Sequence, residues 1–355
     1  MFERAITLDP QYAEAYALLG MTYGVQWSWR WSTDPQTLER ALAMAQRAVA
    51  LDDSLPRVHG AWSLVLQMKR QPDQAIAEGE RTIALDPNNA DSYARQAGVL
   101  NLTGGRPEEA LGLVEKAMRL NPRYPPWYLN ELGTAYRRMG RYAEAIAAQK
   151  QVLLRTPDYP LAHLNLTASY LWQWAFQLSQ GPQALEQALE AAQRAVALYD
   201  SLWAAHMNLG YVSLWEQQYE QALAELERAI ALDPNEAWSY AALAETLSRV
   251  GRSEEALRMV EQALHRKPLV ADEHLVSMGA AYYLAGRPEE AIAPLKQYLS
   301  RYPNILGTHL TLAAAYSELG REAEARAEAA EVLRINPHFS LEVHRERVPI
   351  KDPAM

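Results

Sequence analysis

Glutamate and histidine side chains are the residues of this sequence most able to do chemistry, and they recur at regular places. The recurring sets are the pairs Glu108-Glu109, Glu254-Glu255 and Glu289-Glu290, and the histidines His59, His163, His206 and His309. Residues that recur in phase along a chain are typical of repeated structure rather than of one reaction centre. We therefore interpret the glutamates as first-turn helix residues and favour a packing role for the histidines over a metal site.

No catalytic constellation is found elsewhere in the sequence. The chain has no GxSxG, P-loop or HExxH motif and no spaced set of histidine and carboxylate ligands. The sequence therefore predicts no catalytic residues, no metal site and no cofactor, and we expect that the protein is not an enzyme.

Composition excludes several other classes of protein. The 355 residues include 43 acidic and 34 basic residues, for a net charge of −9, which disfavours nucleic acid as a partner. The absence of cysteine excludes disulfides and thiolate zinc sites. No apolar run approaches the roughly 18 residues of a membrane span, and the first residues do not read as a signal peptide. We expect a cytoplasmic protein with no membrane partner.

A short motif similar to ALDP recurs along the chain and marks an internal repeat. Its last position falls at Pro10, Asp53, Pro87, Pro122, Pro157, Asp200, Pro234, Pro268, Pro303 and Pro337. The intervals are 34 or 35 residues, apart from two of 43 residues. An alanine lies twelve positions before each of the last nine marks, and a small residue recurs in the first half of each unit. This pattern predicts two amphipathic helices per unit that approach closely at the small residues.

Glycine and proline predict where these helices end and begin. Gly140, Gly251, Gly286 and Gly320 are placed to stop the first helix of their units. The phrase GRPEEA, at 105–110 and 286–291, then places proline at the first position of the second helix.

The pattern resembles the tetratricopeptide repeat. In the best unit, 206–234, the signature positions are matched by Leu209, Gly210, Ala222, Leu226, Ala229 and Pro234. The resemblance implies an all-α, right-handed superhelical solenoid of about nine complete helical-hairpin repeats, with a half repeat at the N-terminus. It also implies a non-catalytic module that binds a protein or peptide segment in its concave groove.

The two 43-residue units indicate a duplication. Residues 45–55 and 192–202 differ at one position in eleven, and each long unit carries an aromatic cluster. We predict residues 1–12 as the second helix of a truncated repeat, 13–159 and 160–305 as duplicated blocks of four repeats, 306–339 as the last repeat, and 340–355 as a short helix and tail. The clusters, interpreted either as edge packing or as a partner contact, are Trp27, Trp29 and Trp31, and Trp172, Trp174 and Phe176. Asp34-Pro35 and Gly181-Pro182 are predicted to start the second helices early.

The C-terminal segment carries a second resemblance. Residues 335–353 are similar to the end of repeat regions found behind bacterial class III adenylate or guanylate cyclase domains. The alternative function is therefore a regulatory arm of a bacterial nucleotide cyclase, kinase or transcriptional regulator, with the effector domain outside this chain.

Groove positions supply the candidate binding residues. Asn165 and Asn208 occupy the same place in adjacent repeats, where some repeats of this kind hold a peptide backbone with an asparagine ladder. The other candidates are aromatic, methionine or arginine residues typical of interface anchors: Met207, Tyr211, Trp215, Trp238, Trp172, Trp127 and Arg95. We expect the partner to lie mainly against residues 160–270. The sequence does not decide whether the ligand is a peptide or a small molecule. It also leaves open whether the chain forms a homo-oligomer through exposed terminal repeats.

Overall fold

Twenty helices account for nearly all of the part of the chain that the structure, a computed structural model, describes. That part comprises residues 1–28, 32, 34, 36–179, 183–266 and 272–351. The helices are α1 (Phe2–Leu8), α2 (Ala13–Ser28), α3 (Thr37–Leu51), α4 (Pro56–Met68), α5 (Pro72–Leu85), α6 (Ala90–Val99), α7 (Pro107–Leu120), α8 (Pro126–Arg138), α9 (Tyr142–Arg155), α10 (Pro160–Ala175), α11 (Gln183–Leu198), α12 (Trp203–Trp215), α13 (Tyr219–Leu232), α14 (Ala237–Arg249), α15 (Ser253–Leu264), α16 (Glu273–Leu284), α17 (Pro288–Leu299), α18 (Leu306–Glu318), α19 (Glu322–Ile335) and α20 (Leu341–Arg347). A π-helical turn, Leu100–Gly104, extends α6.

Consecutive helices pack as hairpins, which confirms the predicted all-α repeat array. Contacts are extensive between the helices of one hairpin, such as α12 and α13, and between first helices of adjacent hairpins, such as α14 and α16. Each hairpin buries its apolar faces only by stacking against neighbours.

Close helix approach at the small residues is also confirmed. A Cβ added to Gly210 would lie 2.8 Å from Cγ of Leu226 and 3.2 Å from the carbonyl oxygen of Ala222, and one added to Gly20 would lie 3.1 Å from the carbonyl oxygen of Ala41. Eight of the nine in-phase alanines are fully buried: Ala41, Ala75, Ala110, Ala145, Ala188, Ala222, Ala256 and Ala291. Any larger side chain at these positions would push the two helices apart.

The predicted helix stops adopt left-handed backbone geometry. Gly251 has φ +81°, and it lies two residues beyond the last residue of α14. Its N–H donates to the carbonyl of Ser248 at 3.1 Å, and the next N–H, of Arg252, donates to Leu247 at 2.9 Å. Gln217 takes the same place after α12 with φ +60°, a conformation that costs a side chain roughly 1–2 kcal/mol.

The chain divides into two compact units, residues 1–135 and 136–355, called unit 1 and unit 2 below. Unit 1 contains several small apolar clusters, each built from neighbouring helices. Unit 2 contains one large cluster that includes residues as distant in sequence as Tyr170 and Val332. The boundary between the duplicated blocks, predicted at 159/160 from sequence similarity, differs from this boundary between compact units and stays a prediction.

The predicted aromatic insertions are described only in part. Trp29, Trp31, Pro35, Gly181 and Pro182 lie outside the described residues. The described helices beside them are long, because α2 and α10 have 16 residues each whereas α4 and α12 have 13. In the second copy, Trp172 stacks on Phe176 with ring centroids 5.5 Å apart.

Candidate functional site

The in-phase histidines are bound within their own repeats. Nε2 of His206 lies 2.8 Å from the carbonyl oxygen of Asp200, and Nδ1 lies 2.7 Å from Oε2 of Glu225. His59 and His309 repeat both contacts, with Glu78 and Glu328, and Nε2 of His163 repeats the carbonyl contact. These contacts are structural, and within the described residues no group of three histidine, aspartate or glutamate side chains could hold a metal ion.

Two of the nine predicted binding residues lie together in unit 1. The Arg95 guanidinium carbon lies 5.4 Å from the centroid of the Trp127 ring, and Arg95 is exposed. Both residues line a groove of about 180 Å³ whose walls come from the first helices α4, α6 and α8 and from the second helix α5. The remaining groove residues used below are Leu64 and Glu131.

Four of the predicted residues come together in unit 2. Trp172, Tyr211, Trp215 and Trp238 all line one cavity of about 140 Å³, which we call the unit 2 cavity. The Trp172 ring lies edge to face with Tyr211 and with Trp215, and the centroids of Trp172 and Trp215 are 6.2 Å apart. Tyr211 and Trp215 are only 4% exposed, and Met207 is 1% exposed. The cluster is therefore part of the core of unit 2 as well as a cavity wall.

The C-terminal repeat and α20 cover this aromatic cluster. Gly307 in α18 packs so closely on Phe176 that a Cβ would clash with the ring. The Asn336 side chain donates to the carbonyl of Phe176 at 3.0 Å, and the backbone N–H of Lys351 donates to the carbonyl of Arg249 at 3.0 Å. The aromatic positions expected to face a partner are thus enclosed by segments far away in sequence.

The predicted asparagine pair is also engaged inside unit 2. Nδ2 of Asn208 donates to the carbonyl of Leu164 at 3.0 Å, and Oδ1 of Asn165 accepts from Nε of Arg137 at 3.1 Å. Asn208 therefore already holds a backbone carbonyl of this chain, and Asn165 orients an arginine of the cavity wall.

Charged residues form the polar side of the unit 2 cavity. Oε1 of Glu273 lies 3.3 Å from Nη2 of Arg137 and 3.3 Å from Nη1 of Arg138. On another wall, Arg249 and Glu245 form an ion pair at 2.8 Å, and the Tyr211 hydroxyl lies 2.6 Å from Oγ of Ser277. The three arginines and the two carboxylates are each at most 14% exposed.

Burial sets the protonation of several groups here. Desolvation lowers the pKa of Arg138, but Glu273, Tyr302 and Tyr298 together outweigh it and raise that pKa overall. Burial, reinforced by Glu245, raises the pKa of Tyr211 well above its usual range. Burial lowers the pKa of His344 to about 4, so its ring is neutral at pH 7.

Arg138, Glu273 and Ser277 were not singled out from the sequence. Arg138 reads as a cation in the last turn of α8, and Glu273 reads as an acidic residue in the first turn of α16, both of which are ordinary helix positions. Only their meeting across 135 positions of sequence reveals the ion cluster.

Comparisons with known proteins identify the repeats. Tetratricopeptide repeat models match residues 101–170 and 282–345, residues 200–267, and residues 241–304. These ranges span more than half of the chain, which therefore belongs to the tetratricopeptide repeat family. No curated protein matches the chain, and none of the matched models describes a catalytic domain or a cyclase.

Solved structures share the fold at low sequence identity. The APC/C hetero-tetramer Cut9–Hcn1 aligns with a TM-score of 0.55 and 16% identity, over 98% of this chain and 71% of that one. The human IFIT1 dimer with PPP-AAAA aligns with a TM-score of 0.55 and 15% identity, over 85% of this chain and 69% of that one. Identities this low support the fold alone. Among the described residues, no helix has the length and apolarity needed to cross a membrane.

Proposed function

We propose that this chain is a non-catalytic protein-interaction module and that the groove of unit 1 holds a segment of the partner. The supporting observation is the contact between the exposed Arg95 and the partly buried Trp127 on the walls of that groove. Arginine and tryptophan are the side chains most enriched among interface anchors, and a paired guanidinium and indole present both charge and apolar area.

The groove walls define the chemistry of the partner segment. Arg95 has no carboxylate partner among the described residues, whereas Glu131 on the same groove accepts from Nδ2 of Asn101 at 3.1 Å. Leu64 and Trp127 supply apolar area on the groove walls. The preferred segment therefore carries an acidic side chain next to an apolar one.

Unit 2 is the less accessible place for such a segment. The groove residues predicted there, Tyr211 and Trp215 among them, are covered by α18 and α20. A partner bound at residues 160–270, as expected from the sequence, would have to displace these C-terminal helices.

Selection from a random displayed peptide library tests the proposal. We expect wild-type protein to enrich peptides with an acidic residue beside an apolar residue. Trp127→Ala should weaken the selected peptides by at least about tenfold, because a hot-spot side chain contributes roughly 2 kcal/mol or more. Arg95→Glu should weaken the acidic peptides selectively. The control is Arg119→Glu, an exposed arginine in the last turn of the second helix α7. Equal losses in Arg119→Glu and Arg95→Glu would rule out a specific site.

The regulatory arm of a cyclase, kinase or transcriptional regulator remains the alternative proposal. In that case the partner segment would belong to an effector domain of the same polypeptide, and the bacterial, cytoplasmic setting would follow from that protein. Sequencing of the complete reading frame decides between the two, since the alternative requires an effector domain in frame with these repeats.

A further inference from the structure

The walls of the unit 2 cavity carry more positive than negative charge. Its walls carry three guanidinium groups, Arg137, Arg138 and Arg249, and two carboxylates, Glu245 and Glu273. The His344 ring, which also lines the cavity, is uncharged at neutral pH because burial lowers its pKa. Each arginine has a carboxylate neighbour, but Arg137 and Arg138 share one, so a ligand with one negative charge would balance the charges of these walls.

Unused hydrogen-bond donors accompany this charge. Oε1 of Glu273 contacts both Arg137 and Arg138, whereas its Oε2 and the Nε and Nη2 of Arg138 are buried with no hydrogen-bond partner among the described residues. The indole N–H of Trp215 is likewise buried and unpartnered. Buried donors normally find an acceptor, and two guanidinium groups beside one carboxylate oxygen leave room for a second oxyanion.

An aromatic wall lies next to the charged one. The Tyr211 hydroxyl bonds to Ser277, which lies one helical turn after Glu273 on α16. Trp172, Trp215 and Trp238 extend this wall, and Phe176 is stacked on Trp172. A flat apolar body can pack against these rings while its charged end reaches the arginines.

We propose that the unit 2 cavity binds a small aromatic carboxylate. Its ring packs against Trp172, Trp215 and Trp238, and its carboxylate accepts hydrogen bonds from Arg137 and Arg138. The cavity of about 140 Å³ suits a molecule of one or two rings, and α18 and α20 contribute residues such as Thr308 and His344 to its walls. Binding would add contacts between α8, α10 and the C-terminal helices, so the ligand would stabilise unit 2.

Isothermal titration calorimetry with matched small molecules tests the site in the wild-type chain. Phenylacetate should bind with a Kd on the order of 1 mM or tighter, as a ligand of about ten heavy atoms can. Phenylacetamide lacks the charge and acetate lacks the ring, so each should bind at least about tenfold more weakly. The proposal is overturned if phenylacetate does not bind. It is also overturned if phenylacetamide or acetate binds with the same affinity as phenylacetate.

Two variants then test which residues contact the carboxylate and which contact the ring of the ligand. Arg137→Gln should remove the preference for phenylacetate over phenylacetamide, and Trp238→Leu should weaken both compounds while keeping that preference. Circular dichroism establishes whether each variant is folded. If a variant is not folded, the three compounds measured on the wild-type protein test the proposal. Trp127→Ala, which tests the partner groove of unit 1, should bind phenylacetate as the wild type does. Unchanged selectivity in folded Arg137→Gln would exclude the proposed carboxylate position.

Discussion

A ring at one repeated position ties six of the described first helices to the turn that precedes them. In α12 that ring is His206, whose Nε2 lies 2.8 Å from the carbonyl oxygen six residues earlier. Tyr240 occupies the equivalent place in α14, and its hydroxyl donates to the carbonyl of Pro234, also six residues earlier, at 3.3 Å. The position therefore selects a ring with a donor at its far end rather than histidine chemistry.

This equivalence predicts an asymmetric response to substitution. His206→Ala removes a buried ring and two polar contacts, and we expect the free energy of unfolding to fall by about 2–4 kcal/mol. His206→Tyr keeps the ring and the donor to Asp200, so we expect less than half of that loss. Urea denaturation measures both variants. Similar losses for alanine and tyrosine would show that the carbonyl contact contributes little.

The neutral His344 ring predicts a pH dependence. Burial is the main cause of its lowered pKa of about 4, the nearby Arg249 and Arg347 lower it further, and a backbone hydrogen bond to Ala175 opposes them. The unfolded chain would bind a proton at about pH 6.5, whereas the folded chain resists it down to about pH 4. Stability is therefore fully present above pH 6.5 and falls by up to about 3 kcal/mol as the pH drops to 4.

Thermal or urea unfolding between pH 4 and pH 7 measures this slope. The control is His344→Gln, which cannot titrate and should show a smaller loss over the same pH range. A His344→Gln protein with the same pH profile as the wild type would mean that other groups cause the loss.

Trp174, a partly exposed residue of α10, contacts both α12 and α20. Trp174 lies edge to face on Trp215, with centroids 5.9 Å apart, and the Arg347 guanidinium carbon lies 4.8 Å from the Trp174 ring centroid. Arg347 also donates to the carbonyl of Trp174. The second-copy insertion therefore contacts the C-terminal helix of the same chain.

We expect Trp174→Ala to reduce the free energy of unfolding by about 3 kcal/mol, near the lower end for loss of a large aromatic side chain because the ring is partly exposed. Chemical denaturation followed by circular dichroism gives the value. Leu154→Ala, at an 85% exposed position of the same unit, serves as the control and should change stability little. A Trp174→Ala protein as stable as the control would favour the other interpretation of the insertion, a contact for a partner.

Across the whole molecule, the helices differ in how firmly they are held. No residue of α1 is buried, and its one described side-chain link to α2 is the hydrogen bond from Tyr23 to Glu3, at 2.9 Å. In α12, by contrast, twelve of the thirteen residues are buried. Repeat arrays couple mainly through neighbouring units, so a helix with little burial opens at low cost.

Amide hydrogen exchange should therefore be fastest in α1 among the twenty helices and slowest in helices such as α12. We expect α20 to exchange more slowly than α1, because its Arg347 is bound to α10 and the following Lys351 is bound to α14. Mass spectrometry of peptic peptides resolves these helices. Protection of α1 equal to that of α12 would contradict the expected order, unless it depends on protein concentration and so reflects self-association.

The sequence by itself determined the hairpins. The 34-residue period, the in-phase alanines and the glycine stops all describe contacts within a repeat or between neighbours, and such contacts are encoded by residues a few helical turns apart. The positions of Ala222, Gly210 and Gly251 could thus be assigned a structural role before any coordinates were known, and each adopts it.

Only the tertiary structure decided what the inward-facing residues do. The sequence pattern is the same whether an inward-facing aromatic residue contacts a partner or another part of this chain. The apolar pattern that favours burial of Tyr211, Trp215 and Trp172 does not specify what buries them. In unit 2 they are covered by α18 and α20, and Arg138 meets Glu273 from a distant repeat. These contacts depend on the small rotation from each repeat to the next, summed over several repeats, which no local pattern records.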